Sequence, residues 1–203
     1  MAHLLRIDSS ALSQESHSKS LANYFTSLWQ QNLNGSLTQV DLSQNPPPHI
    51  DEKLVHAMYT PESEHTDEQK ASLQLSDYYI SQLKQADELL INVPMYNFTI
   101  PSTLKAYIDH VVRAGLTFSY DENRPQGLLT NIQKATIIIA SGGDYTQPPM
   151  NQMDFVTPYL KTILNFIGIE SIHFINAPQM ALGEQNMQAS LTQAKNEITQ
   201  LFS

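Results

Sequence analysis

The feature that most constrains this chain is an alternation that runs from its first residues to its last. Short apolar runs take turns with longer segments that carry apolar residues at helical spacing. Leu4, Leu5 and Ile7 form the first run, ending at Asp8. Leu21, Phe25, Leu28 and Trp29 then fall at i, i+4, i+7 and i+8, the stripe of an amphipathic helix, which Gly35 is expected to end. Leu37 to Leu42 reads as a second strand, and Pro46-Pro47-Pro48 as a stiff connector. Residues 51–70 hold six acids and two lysines and read as a solvated helical face. Thr66 and Gln69 have the spacing of a capping box, opening a helix that bears Leu75, Tyr79 and Leu83.

The second half repeats the pattern. Glu88 to Val93 is a third strand, buried on both faces to judge from Leu89, Leu90 and Ile91, and Pro94 should stop it. Pro101 suits a first helical turn, Leu104, Ile108, Val111 and Val112 continue that helix, and Gly115 should close it. Residues 117–130 are irregular, with a hairpin expected around Asp121-Glu122-Asn123. Ala135 to Ala140 is the fourth strand, broken by Ser141-Gly142-Gly143. Phe155, Tyr159, Ile163 and Phe166 mark a helix ended by Gly168, Ile172 to Ile175 a fifth strand, and Ala194, Ile198, Leu201 and Phe202 a last helix. Five strands alternating with helices imply an α/β fold with a parallel sheet covered on both faces. The strand count favours the flavodoxin-like order 2-1-3-4-5 within one domain spanning residues 1–203.

Composition narrows the chemistry. No cysteine occurs among the 203 residues, which excludes disulfides, a thiol nucleophile and an iron–sulfur cluster. Redox chemistry would therefore need an organic cofactor or a cysteine-free metal site. The histidines at 3, 17, 49, 56, 65, 110 and 173 include no i, i+4 pair, so a helical zinc site is not expected. A formal charge of −9 argues against a nucleic-acid partner. Arg6 and Asp8 interrupt the N-terminus before a signal peptide could form, and no run reaches the ~20 apolar residues of a membrane span. A cytoplasmic location is the expectation.

In a sheet of this order, ligands bind beyond the carboxyl ends of the strands, where strand order reverses. Three loops then matter. Ser9, Ser10, Ser13, Ser16 and Ser18 precede or open a helix, whose free amides and partial positive charge suit a phosphate monoester; an ordinary polar loop with a serine cap is the alternative. Met95-Tyr96-Asn97-Phe98 can hold a flat heteroaromatic ring, or can pack as core. Gly142 and Gly143 admit close backbone approach to a ligand, or make a plain turn. A P-loop, a Gly-x-Gly-x-x-Gly fingerprint and a Gly-x-Ser-x-Gly elbow are all missing.

These residues carry a resemblance. Ser9-Ser10, Ser16-His17-Ser18, Pro94 to Phe98, Lys105 to Asp109, Arg113-Ala114-Gly115 with Thr117-Phe118, and Gly142-Gly143 resemble the FMN-dependent NADH:quinone oxidoreductases, also called FMN-dependent NADH-azoreductases. Val156 to Leu160 and Phe166 to Ile169 extend the likeness over nearly the whole chain. The resemblance implies a flavodoxin-like fold, one non-covalent FMN per subunit, and a homodimer with both sites at its interface. It implies Ser10, Ser16, His17 and Ser18 around the FMN phosphate, and Met95, Tyr96, Asn97 and Phe98 around the ring and ribityl chain. Ala140, Ser141, Gly142 and Gly143 would flank the pyrimidine edge. Many relatives read Ser-Arg-Gly-Gly where this chain has Ala140-Ser141-Gly142-Gly143, and Asp144-Tyr145 also departs from the pattern. The implied reaction takes two electrons from NADH or NADPH through the flavin N5 to quinones or azo compounds, in alternation at one site, with no side chain as nucleophile. An electron-transfer flavoprotein without a small-molecule substrate is the alternative, and a module that merely binds a phosphorylated molecule is another.

Overall fold

The computed structural model describes residues 1–12, 15–121 and 124–203. In chain order the elements are β1 (His3–Asp8), α1 (His17–Leu33), β2 (Ser36–Asp41), α2 (Glu52–Tyr59), α3 (Asp67–Gln85), β3 (Glu88–Pro94) and α4 (Ser102–Val111). They continue with β4 (Phe118–Asp121), β5 (Arg124–Gly127), β6 (Lys134–Ala140), α5 (Val156–Phe166), β7 (Ile172–Ala177) and α6 (Glu184–Gln200). Five strands form one parallel sheet in the order β2-β1-β3-β6-β7, and β4 and β5 pair separately as an antiparallel ribbon. Counting only the strands of the large sheet, the order is 2-1-3-4-5; the ribbon shifts the later numbers by two. Glu122 and Asn123, the centre of the expected hairpin, lie outside the described residues, as does Ser13 of the first loop.

Side-chain alternation along each strand divides the core. Leu4, Leu90, Ile138 and Ile175 meet α1 and α6 through Leu21, Phe25, Trp29, Ala194 and Ile198. Leu5, Ile7, Leu89, Ile91, Ile137 and Ile139 meet α3, α4 and α5 on the other face. Trp29 and Phe25 are sealed from solvent, and burial of each such side chain stabilises the fold by about 1.5–3 kcal/mol. Thr66 and Gln69 form the expected capping box, each side chain accepting the other's backbone N–H, at 3.2 Å and 3.0 Å.

Several boundaries differ from the sequence reading for physical reasons. Asn34, not Gly35, ends α1: it takes the left-handed conformation (φ 47°) and its N–H reaches the Gln30 carbonyl. Gly35 is needed for space instead, because a Cβ there would stand 2.3 Å from the Trp29 ring. β3 ends at Pro94 as read, but Pro94 is its last paired residue, opposite Ala140, rather than the first residue beyond it. Pro101 caps α4 from outside its first turn, and the helix finishes at Val111 rather than at Gly115. Leu201 and Phe202 lie past the end of α6, where Phe202 packs against Phe25 with ring centroids 5.2 Å apart.

α5 carries two apolar stripes side by side. Val156, Leu160 and Leu164 point into the core. Of the residues that mark this helix in the sequence, Tyr159, Ile163 and Phe166 are half-buried against the edge of the core, and Phe155, just before the helix, is exposed. Both sets have helical spacing, so periodicity alone cannot say which one faces the sheet. The half-buried stripe also meets the ribbon: the ring of Phe166 lies 4.6 Å from that of Phe118 in β4. The ribbon is tied down beside it by the Leu129 N–H on the Ile167 carbonyl at 2.9 Å.

Candidate active site

The sheet brings the three loops to its carboxyl edge, where they line one groove of about 160 Å³. Ser10, Ser16, His17 and Ser18 come from the first loop and the start of α1, Met95 and Tyr96 from the loop after β3, and Ala140, Ser141 and Gly142 from the end of β6. Asn97, Phe98 and Gly143 lie at its margin and do not line it. Leu12, Glu15, Pro94 and Met180 line it too. Of these, Met180 had a signal that sequence reading passed over: it follows β7, whose carboxyl end the topology places on this same edge.

The groove's donors are local products of the fold. Ser16 caps α1, its Oγ accepting from the Lys19 N–H at 3.2 Å. That leaves the His17 and Ser18 amides without an acceptor among the described residues, facing outward as helix-end donors do. Tyr96 and Thr99 exchange two backbone hydrogen bonds, at 3.0 and 3.1 Å, across a turn that holds Asn97 at φ 49° and Phe98 at φ 68°. Positive φ is uncommon for a bulky residue such as Phe98 and clusters at functional sites. Tyr96 and Phe98 are both more than a third exposed, while Met95 packs half-buried against the core. Behind Ser141, the 179–181 segment donates to the carbonyls of Ser141, Gly142 and Gly143 at 3.0–3.1 Å. The Gly142 and Gly143 amides have no acceptor among the described residues. Neither glycine adopts the left-handed region; a Cβ on Gly143 would meet the Tyr145 ring at 3.2 Å.

Beneath the first loop lies a buried polar network. Arg6 Nε donates to Asp8 Oδ1 at 2.8 Å, and Gln39 donates to Asp8 Oδ2 at 2.5 Å. Asn92 donates through Nδ2 to Asp8 and turns its own Oδ1 toward Ser18 Oγ at 3.4 Å. Lys19, the cation next to the serines in sequence, is engaged elsewhere: its Nζ lies 2.5 Å from Asp41 and 4.0 Å from Asp8. An anion in the groove would therefore meet neutral donors.

Burial works to raise the Asp41 carboxyl, but hydrogen bonds from Lys19 and from the Ser43 hydroxyl and amide outweigh it and hold the pKa at about 2, against 3.8 ordinarily. A depressed carboxyl stabilises the fold above its unfolded pKa and loses that contribution as pH falls through the folded one, here from pH 4 toward 2. The shift corresponds to about 2 kcal/mol at neutral pH. The stability gap between wild type and Asp41→Asn, measured by urea unfolding, should fall to roughly half between pH 6 and pH 3. A gap that stays constant would show that Asp41 acts through packing alone.

A larger cavity of about 610 Å³ lies elsewhere, beside α2 and α3, and shares no residue with the groove. The groove is the candidate active site because it collects the ends of β1, β3 and β6.

Fold and groove together define a flavodoxin-like protein, and the matching family, Flavodoxin_2, a flavodoxin-like fold, covers residues 2–202. An FMN-dependent NADH:quinone oxidoreductase of Hydrogenovibrio crunogenus is 54% identical over 199 residues, 98% of each chain. One from Trichormus variabilis is 42% identical over 202 residues, again 98% of each chain. Among solved structures, an FMN-dependent NADH-azoreductase of Bacillus anthracis in complex with FMN superposes with a TM-score of 0.88 at 27% identity, covering 100% of both chains. The chain belongs to the FMN-dependent NADH:quinone oxidoreductase family of oxidoreductases.

Proposed function

We propose that this chain binds FMN in the groove and passes two electrons from NADH or NADPH to quinones and azo compounds. The observation that carries the reading is that two loops bring amides with no acceptor among the described residues, His17 and Ser18 from one and Gly142 and Gly143 from the other, to a groove where the third loop presents an exposed aromatic turn. A group with an anionic end, a flat ring and a hydrogen-bonding edge fits those three parts in turn. The names of the relatives support FMN and NADH.

Ser10, Ser16, His17 and Ser18 would hold the phosphate, by hydroxyls and by the first amides of α1. Met95, Tyr96, Asn97 and Phe98 would hold the ring and ribityl chain, and Ala140, Ser141, Gly142 and Gly143 the pyrimidine edge. The chemistry that FMN supplies when bound is two-electron transfer through its N5, with nicotinamide and acceptor taking turns at one place. The protein's part is to fix the ring, exclude water, and direct the Gly142 and Gly143 amides at negative charge developing along the ring's edge. No side chain is assigned as a nucleophile.

We read residues 1–203 as one domain acting in the cytoplasm as a homodimer. Tyr120 on the ribbon and Phe155 just before α5 are each more than half exposed, and Met150 and Leu128 add apolar surface. Surface of this kind suits closure of a partner's groove. Initial rates at varied NADH and quinone test the reaction: parallel double-reciprocal lines are expected, and intersecting lines would reject alternation at one place. Repeating the series with NADPH and with azo dyes fixes the substrate range. Sedimentation across a dilution series tests the dimer, and a fully active monomer would refute the shared groove.

A further inference from the structure

The larger cavity has the makings of a second ligand site. It lies among the carboxyl end of α2, the outer side of α3 and the turn Arg113–Leu116. At about 610 Å³ it falls within the range of small-molecule sites. Its key residue is Arg113, only 8% exposed. Nη1 donates to Asp77 Oδ1 at 2.5 Å and to Ser76 Oγ at 3.0 Å. Ser76 is fully buried and gives its own proton to the His110 carbonyl at 2.6 Å, so it serves Arg113 as an acceptor.

Arg113 Nε and Nη2 have no acceptor among the described residues, and neither is sealed from solvent. This is the side edge of the guanidinium, where two parallel N–H groups match the two oxygens of a carboxylate. Nη1 is held by Asp77 and Ser76, which fixes the guanidinium plane and leaves this solvent-facing edge pre-set for a planar anion. The rest of the lining agrees. Lys70 and Lys84 join Arg113 against Glu62 and Asp77, three formal positive charges to two negative, in a chain whose net charge is −9. Leu73 and Ile80, both buried, together with Met58 and Leu116, add an apolar surface.

We propose that this cavity binds an organic carboxylate with an apolar body, its oxygens on the Nε–Nη2 edge of Arg113 and its body against Leu73 and Ile80. The site is separate from the groove and does not depend on what the groove holds. Its wall continues into the β4–β5 ribbon, since the Arg113 carbonyl accepts from the Thr117 N–H at 3.0 Å and the Gly115 N–H reaches the Phe118 carbonyl at 2.8 Å.

The test is calorimetric titration of 2-naphthoate into full-length protein saturated with FMN, which keeps the groove filled. Saturable binding of one naphthoate per chain is expected. Inorganic phosphate, which lacks the body, and 2-naphthalenemethanol, which lacks the charge, should each bind at least tenfold more weakly. Lys84→Glu, an exposed position, should weaken naphthoate at least tenfold while leaving NADH turnover unchanged, and Arg113→Lys should do so if it melts like wild type. Absence of saturable binding, full affinity in Lys84→Glu, or competition between naphthoate and the quinone acceptor would each overturn the assignment. A dimer that excludes the probe because the partner fills the cavity would overturn it as well.

Discussion

Alanine at Gly127 is expected to unseat the β4–β5 ribbon and lower the melting temperature by roughly 6–12 °C. The added Cβ would stand 2.0 Å from the Gly168 nitrogen and 2.3 Å from its Cα. Both are backbone atoms, so no rotamer change relieves the clash. Gly168 itself is held at φ +102°, and a Cβ there would meet Gly127 in return, so two glycines lie back to back. Overpacking of this kind costs about 3 kcal/mol, and in a chain of this size each kcal/mol corresponds to roughly 2–4 °C. If the ribbon closes a partner's groove, the same variant should turn over NADH poorly while the apo groove still binds FMN. Calorimetric melting and FMN titration on one preparation separate these effects. An alanine variant that melts with wild type would mean the ribbon sits elsewhere.

The second large effect is on the phosphate end of the groove. Replacing Ser10 and Ser18 together with alanine should weaken FMN by about a hundredfold or more, since each hydrogen bond to a charged group contributes roughly 1.5–3 kcal/mol. The folded apo protein should hardly notice. Among the described residues, Ser18 Oγ makes only long bonds, 3.4 Å to Asn92 and 3.2 Å to Ser16, and Ser10 Oγ only accepts from the Leu12 N–H at 3.2 Å. Fluorescence titration of apo protein with FMN measures the loss, and a melt without FMN checks the fold. Undiminished FMN affinity would remove both hydroxyls from the site.

These two cases also show what the sequence could reveal. Strands buried on both faces, such as β6 with its Ile137-Ile138-Ile139 run, announce themselves by composition. The loops that follow them can be located from the topology, but the pattern leaves each open between a binding role and a plain turn, cap or packing, and the individual residues Ser16, Tyr96 and Gly142 come from the resemblance. How deeply each side of α5 is buried could not be read, because Val156, Leu160 and Leu164 and the neighbouring Tyr159, Ile163 and Phe166 are both apolar at helical spacing, and only tertiary packing sets the first deeper than the second. Gly127 and Gly168 are 41 residues apart, and nothing local shows that each leaves room for the other. The Asp8–Asn92 pair was hidden for a similar reason. Asp8 ends β1 and Asn92 lies inside β3, and only the register of β1 on β3 sets them side by side.

The engagement of Lys19 by Asp41 and Asp8 has a consequence for ionic strength. Ions screen exposed charges beyond a Debye length of about 10 Å at 0.1 M, but they do little to an amide or hydroxyl at contact distance. A phosphate gripped by serine hydroxyls and the first amides of α1 should thus hold nearly as well in half-molar potassium chloride as in dilute buffer. Loading of the groove would then follow cofactor supply and stay indifferent to the salinity around the protein.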